Sequence, residues 1–197
     1  MRKILFIICW ALAGVGLYSC SLDEPSYGKT TSDNYYQKES DIEQALTGAY
    51  LQLRTTWNEY ALNHYFVGDC STDDALKGGG NDGDRAEVRD LSDFTIYTTN
   101  GEVGRRWEIL YRLINRCNDV IYYAPDAIGN EELLKRYANE AKALRAFGYY
   151  CLVTTFGEVP LITTPMQPAE ILQIPRSPLE KVYESVSYTH LRAHETC

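Results

Sequence analysis

Two long stretches, roughly 103–123 and 131–155, repeat apolar residues at steps of three and four, a period that commits both to amphipathic helix. In the first, Trp107, Leu110, Tyr111, Ile114, Cys117 and Ile121 share one stripe, and Pro125 follows its end. In the second, Leu133, Tyr137, Ala141, Leu144, Gly148 and Cys151 recur in the same way. Asn130 stands where a capping side chain belongs, and Glu131 and Glu132 fill the first turn, where the helix dipole favours negative charge. The expected fold class is therefore mostly α, built from antiparallel helix pairs with long ordered loops.

Two further helices carry start signals. Ser40 and Glu43 are spaced as a capping box ahead of Ile42, Ala45, Leu46, Ala49, Tyr50 and Leu53, which continue one helical face. Ser177-Pro178-Leu179-Glu180 repeats the box, with proline at the first helical position. Residues 54–66 are mixed, and from Gly68 to about Gly104 the chain reads as loop. There Gly78-Gly79-Gly80-Asn81-Asp82-Gly83-Asp84 forms an acidic surface turn, and a short extended piece is expected around Phe94, Ile96 and Tyr97. Phe156-Gly157-Glu158-Val159-Pro160-Leu161 closes the second long helix with a sharp turn into an extended segment.

The N-terminus has its own logic. Arg2 and Lys3 precede an uncharged, mostly apolar run from Ile4 to Leu17, the length of a signal-peptide core and short of the roughly 20 residues a spanning helix needs. The run ends in Leu17-Tyr18-Ser19-Cys20, which resembles the lipobox of bacterial lipoproteins, with Tyr18 larger than is usual there. The resemblance implies cleavage after Ser19, residues 1–19 being signal peptide, and lipid attachment at Cys20 through its thiol. Buried acyl methylenes contribute about 0.8 kcal/mol each, and more than one chain makes such anchoring lasting. Asp23 and Glu24, just beyond, resemble the acidic signal that sends some lipoproteins to the cell surface. Residues 20–39 are polar and turn-rich and read as a lipidated tether.

The whole chain carries formal charge −8, and losing Arg2 and Lys3 with the signal takes it to about −10. That balance argues against nucleic acid or anionic headgroups as partners, since both reward positive patches. Of six cysteines, Cys9 leaves with the signal, Cys20 takes the lipid and Cys197 ends the chain. Cys70, Cys117 and Cys151 remain, without metal-ligand spacing, and the latter two read as small buried hydrophobes.

The helix motifs carry a family resemblance. Trp107-Glu108-Ile109-Leu110-Tyr111 with Ile114 to Ile121, then Asn139-Glu140-Ala141-Lys142-Ala143-Leu144-Arg145-Ala146-Phe147-Gly148-Tyr149-Tyr150 and Phe156 to Leu161, resemble the signature segments of the SusD/RagB family. Asp41 to Leu53 resembles its first helix, and Pro175 to Tyr183 the entry to its next one. The resemblance implies a SusD-like helical fold with tetratricopeptide-like helix pairs, of which 40–186 would be the N-terminal part. It also implies a nutrient-binding outer-membrane lipoprotein that passes an oligo- or polysaccharide to a SusC-like TonB-dependent transporter, with peptide as the cargo in the RagB branch. Ser187 to Thr196 looks like the translation of a sequencing adapter, so 187–197 is expected to be non-native and the natural protein longer.

Aromatic faces stack on pyranose rings while amides, carboxylates and Arg bond their hydroxyls. Tyr97 and Asn100 are the first ligand-binding candidates, with Trp57 and Asp73 behind them, and for each the alternative is packing or a solvated loop. Arg145 and Glu140 read as structural partners. No catalytic set is expected: Asp73-Asp74 and Asp82 with Asp84 offer the paired carboxylates that a surface glycoside hydrolase would need, but they sit in a glycine-rich loop without a rigid cleft. His190 and His194 with Cys197 have helix-compatible metal spacing, but lie inside the adapter-like string. No metal or cofactor is implied.

Overall fold

The structure is a computed structural model and describes residues 32–54, 64–81 and 83–194. The signal segment, Cys20, Trp57 and Asp82 lie outside the described residues. Five helices of seven residues or more organise the described part: α1 (Glu39–Tyr50), α2 (Ala86–Ser92), α3 (Gly101–Tyr123), α4 (Glu131–Phe156) and α5 (Leu179–His194). A single turn at Ser32–Tyr35 precedes them, others at His64–Val67 and Pro168–Ile171 lie between them, and no strand forms among the described residues, only the isolated bridges Lys38–Ile128 and Val159–Ser177. The mostly α architecture is therefore as the periodicity dictates.

Helices α3 and α4 run antiparallel as a hairpin, with a short 3-10 turn at Ala124–Asp126 between them. Near that turn, Val120 and Ala124 of α3 meet Leu134 and Ala138 of α4, and α1 adds Ile42, Leu46 and Ala49 to the same core. At the other end of the hairpin, Leu110 and Ile114 meet Tyr149 and Leu152, and α5 contributes Val182. Trp107 packs edge-on against Phe156 there, with ring centroids 5.1 Å apart. The two rods approach closely at Gly148, where a Cβ would lie 3.0 Å from Ile114 Cγ1. Gly157 ends α4 at φ 71°, a left-handed turn that a side chain would strain.

The extended segment after Gly157 is held by the hairpin through its backbone. Tyr111 Oη donates to Pro160 O at 2.7 Å, and Asn118 Nδ2 donates to Ile162 O at 3.0 Å. Tyr149 Oη donates to Ile162 O at 2.8 Å and accepts from Ile162 N at 2.6 Å. Arg145 Nη1 completes the set, donating to Asn118 Oδ1 at 2.8 Å and to Thr163 O at 2.9 Å. A segment with no strand beside it must find partners for its buried amides and carbonyls, and here four signature side chains supply them. Arg145 is thus structural, as expected, and so is Glu140, which accepts from Tyr50 Oη and Arg136 Nε.

Several local expectations are corrected. Helix α1 begins at Glu39 rather than after Ser40, and the carboxylate reaching back is that of Asp41, which accepts Lys38 N at 2.9 Å; Glu43 lies beyond reach of that turn. Residues 33–39 belong to the fold and not to a tether: Tyr36 stacks on Tyr123 with centroids 4.3 Å apart, and Glu39 N donates to Ile128 O. The buried line of α4 runs through Leu134, Ala138, Ala141, Leu144 and Tyr149, leaving Leu133 and Tyr137 half-buried. Pro178 precedes α5 instead of opening it, and the α5 helix continues across the adapter-like string to His194. Finally, α2 occupies part of the region read as loop, and no extended piece forms at Phe94, which adopts φ 57°.

Candidate functional site

Helix α2 and the single turns before it form a small satellite core from Phe66, Cys70, Val88 and Leu91, with Val103 of α3 packed against it. This platform carries the segment 93–99. All seven residues, Asp93-Phe94-Thr95-Ile96-Tyr97-Thr98-Thr99, are exposed, while Leu91 before them and Asn100 after them are buried. Both ends of the loop are fixed. Asn100 Oδ1 accepts from Glu102 N at 3.0 Å and Val103 N at 3.2 Å, capping α3, and its Nδ2 donates to Glu87 O at 2.9 Å. Gly101 N donates to Glu87 Oε1 at 2.9 Å, tying the start of α3 to α2 a second time.

The expected ligand residues are thus distributed unevenly. Tyr97 is 63% exposed, with its ring in solvent and its carbonyl accepting Asn100 N at 3.0 Å. Asn100 is only 6% exposed, and both its polar atoms are engaged by the protein, so it holds the loop from its buried end. Asp73 is exposed on the segment before α2, which reaches the loop's base where Lys77 N donates to Ser92 Oγ at 3.3 Å. Trp57 lies outside the described residues. Phe94 and Ile96, at 68% and 48% exposure, join Tyr97 in the loop and were named from sequence only as parts of an extended piece. The signal available for them was the run of apolar and threonine side chains between two anchored residues.

Behind the loop opens a cleft of about 450 Å³ lined by Ile96, Ser71, Val103, Arg106, Thr155 and Phe156 among others. Arg106 is buried, and its Nε donates to Thr155 Oγ1 at 2.8 Å; burial lowers its pKa from the usual guanidinium range. A smaller apolar cleft of about 220 Å³ lies between Trp107, Tyr111, Asn115, Pro160 and Ile171. The acidic pair Asp73-Asp74 is exposed, with Asp74 N bonded to Thr72 Oγ1. Among the described residues no three His, Cys, Asp or Glu side chains converge to hold a metal ion. Among the described residues the free cysteines Cys70, Cys117 and Cys151 are all buried, and desolvation pushes the Cys117 thiol up to about 12.

The described residues form a helical scaffold around one long hairpin, with exposed aromatics gathered on an anchored loop. The particular family follows from comparison. Residues 21–195 match the family model SusD-like, described as starch-binding associating with outer membrane, and the chain belongs to this SusD-like family. SusD-like protein P2 of Formosa agariphila is 29% identical over 189 residues, covering 93% of this chain and 35% of that protein. Among solved structures, a laminarin binding SusD-like protein superposes with TM-score 0.72 at 29% identity, over 82% of this chain and 34% of its own. Surface glycan-binding protein A from Bacteroides fluxus gives TM-score 0.64 at 27% identity, over 78% and 32%. The chain spans about a third of the length of the curated relatives it matches.

Proposed function

We propose that the chain is part of a cell-surface lipoprotein, anchored to the outer membrane through Cys20, that binds an oligo- or polysaccharide without cleaving it. It passes the glycan to a SusC-like TonB-dependent transporter. The observation that carries this reading is the family match across 21–195, with a laminarin binding protein and a surface glycan-binding protein among the structures the fold resembles. The loop 93–99 supports it, because a ring held at fixed height on an anchored backbone loses little freedom when a sugar stacks on it. Tyr97 is the stacking group in this reading, Asp73 and Trp57 are further ligand contacts, and Asn100 positions the loop.

Binding of the full-length lipoprotein to an array of glycans and peptides tests the reading. Retention of one or more glycans with no release of reducing ends is expected. Sustained release of reducing ends overturns it in favour of a surface glycoside hydrolase, and retention of peptides alone in favour of a RagB-like peptide binder. The anchor and partner are checked separately: incorporation of a palmitate analogue should disappear in C20A, and the native lipoprotein should co-purify with a barrel transporter.

A further inference from the structure

Among the described residues, two other than glycine adopt left-handed backbone angles, and they flank α2: Arg85 at φ 47° before it and Phe94 at φ 57° after it. For an L-residue this conformation is strained, and helices that end in it usually place glycine there. At Arg85 the strain is offset by what the side chain does. Its guanidinium lies 4.8 Å from the Phe66 ring centroid, and its Nη1 pairs with Glu102 Oε1 at 3.2 Å. Phe94 occupies the glycine position of a complete Schellman closure, with Phe94 N donating to Leu91 O at 3.2 Å and Thr95 N to Asp90 O at 2.9 Å. Its ring is 68% exposed, so burial in the fold gives little in return.

We infer that Phe94 is a ligand-stacking residue, held in a strained turn so that its ring and that of Tyr97 present a two-aromatic platform to a sugar chain. The inference rests on the glycan-binding reading and adds to it a residue chosen for function against the preference of the backbone. The surroundings fit a glycan better than an apolar protein surface. Asp93, Thr95, Thr98 and Thr99, all exposed, bring a carboxylate and three hydroxyls beside the rings, the groups that bond sugar hydroxyls. Anchoring at Leu91 and Asn100 keeps the platform formed before the ligand arrives.

The test compares F94G and F94W with the native sequence in the full-length lipoprotein, by thermal melting and by affinity electrophoresis in gels containing laminarin, starch, xylan or mannan. F94G should melt higher, by roughly 1–2 °C in a chain as long as its relatives, because glycine suits the left-handed turn. It should bind the recognised glycan roughly tenfold more weakly, as loss of a stacking anchor does, while F94W binds as well as the native protein. Unchanged glycan affinity in F94G overturns the inference and leaves the glycan-binding reading intact. A lower melting temperature in F94G assigns the ring to the fold and also overturns it. If F94G keeps its glycan but no longer co-purifies with a barrel transporter, the ring serves a protein contact and the inference fails. If the native protein binds none of the four polysaccharides and none on the wider array, the glycan-binding reading fails and takes the inference with it.

Discussion

Asn118 is the residue whose loss should be felt most for its size. It is fully buried on α3, donates to Ile162 O at 3.0 Å and accepts from Arg145 Nη1 at 2.8 Å. A neutral hydrogen bond nets about 1 kcal/mol and one to a charged group about 1.5–3 kcal/mol. Truncation to alanine removes both. It leaves Ile162 O with the Tyr149 hydroxyl and Arg145 with Thr163 O, so neither group is stripped of every partner. The expected cost of Asn118→Ala is therefore about 2–3 kcal/mol, below the sum of a complete stranding. Asn118→Asp should cost about as much at neutral pH: it keeps an acceptor for Arg145 but turns an anionic oxygen toward a carbonyl. Urea unfolding followed by tryptophan fluorescence reads the change. Asn115→Ala, exposed one turn earlier on the same helix, is the control and should stay within about 0.5 kcal/mol of the native chain. An Asn118→Ala cost inside that same margin would refute the view that side chains of the hairpin hold the segment 160–163.

Other outcomes follow from burial. Desolvation raises the Asp119 carboxyl above its usual range, although Tyr36 Oη donates to Oδ2 at 3.2 Å and partly offsets this. A carboxyl raised in the folded state costs stability above its folded pKa, and the cost disappears below its unfolded value. Asp119→Asn should accordingly melt above the native chain at pH 7 and lose that advantage as pH falls through the carboxylate range; a difference independent of pH would contradict it. Cys70, Cys117 and Cys151, buried and with thiols raised by desolvation, should resist iodoacetamide at pH 8 until denaturant is added, as peptide mass mapping would show.

Legibility from sequence tracked element length. Helices α3 and α4, at 23 and 26 residues, repeat their period often enough that Leu110, Ile114, Ala141 and Leu144 identify buried faces, and Asn130 caps α4 as its position suggests. Helix α2 has seven residues and only Val88 and Leu91 buried, too few to show a period, and so it was hidden in apparent loop. The capping role of Asn100 went unseen for a related reason. Placing the start of α3 near Val103 left Asn100 outside the helix as a candidate ligand contact, whereas the helix opens at Gly101 and makes it the cap. The strain at Phe94 has no sequence signature, because Schellman closures are recognised by their glycine and this one has none. Tyr149 buries its ring and bonds a chain segment 13 residues on, a role that sequence pattern cannot separate from an exposed tyrosine.

Hydrogen exchange of the full-length lipoprotein with and without its glycan tests most directly whether the anchored loop meets the sugar. Slowed exchange on ligand addition is expected in 93–100, with the long hairpin helix 131–156 unchanged. Protection confined to other segments, with 93–100 exchanging as fast as in the free protein, would contradict the account.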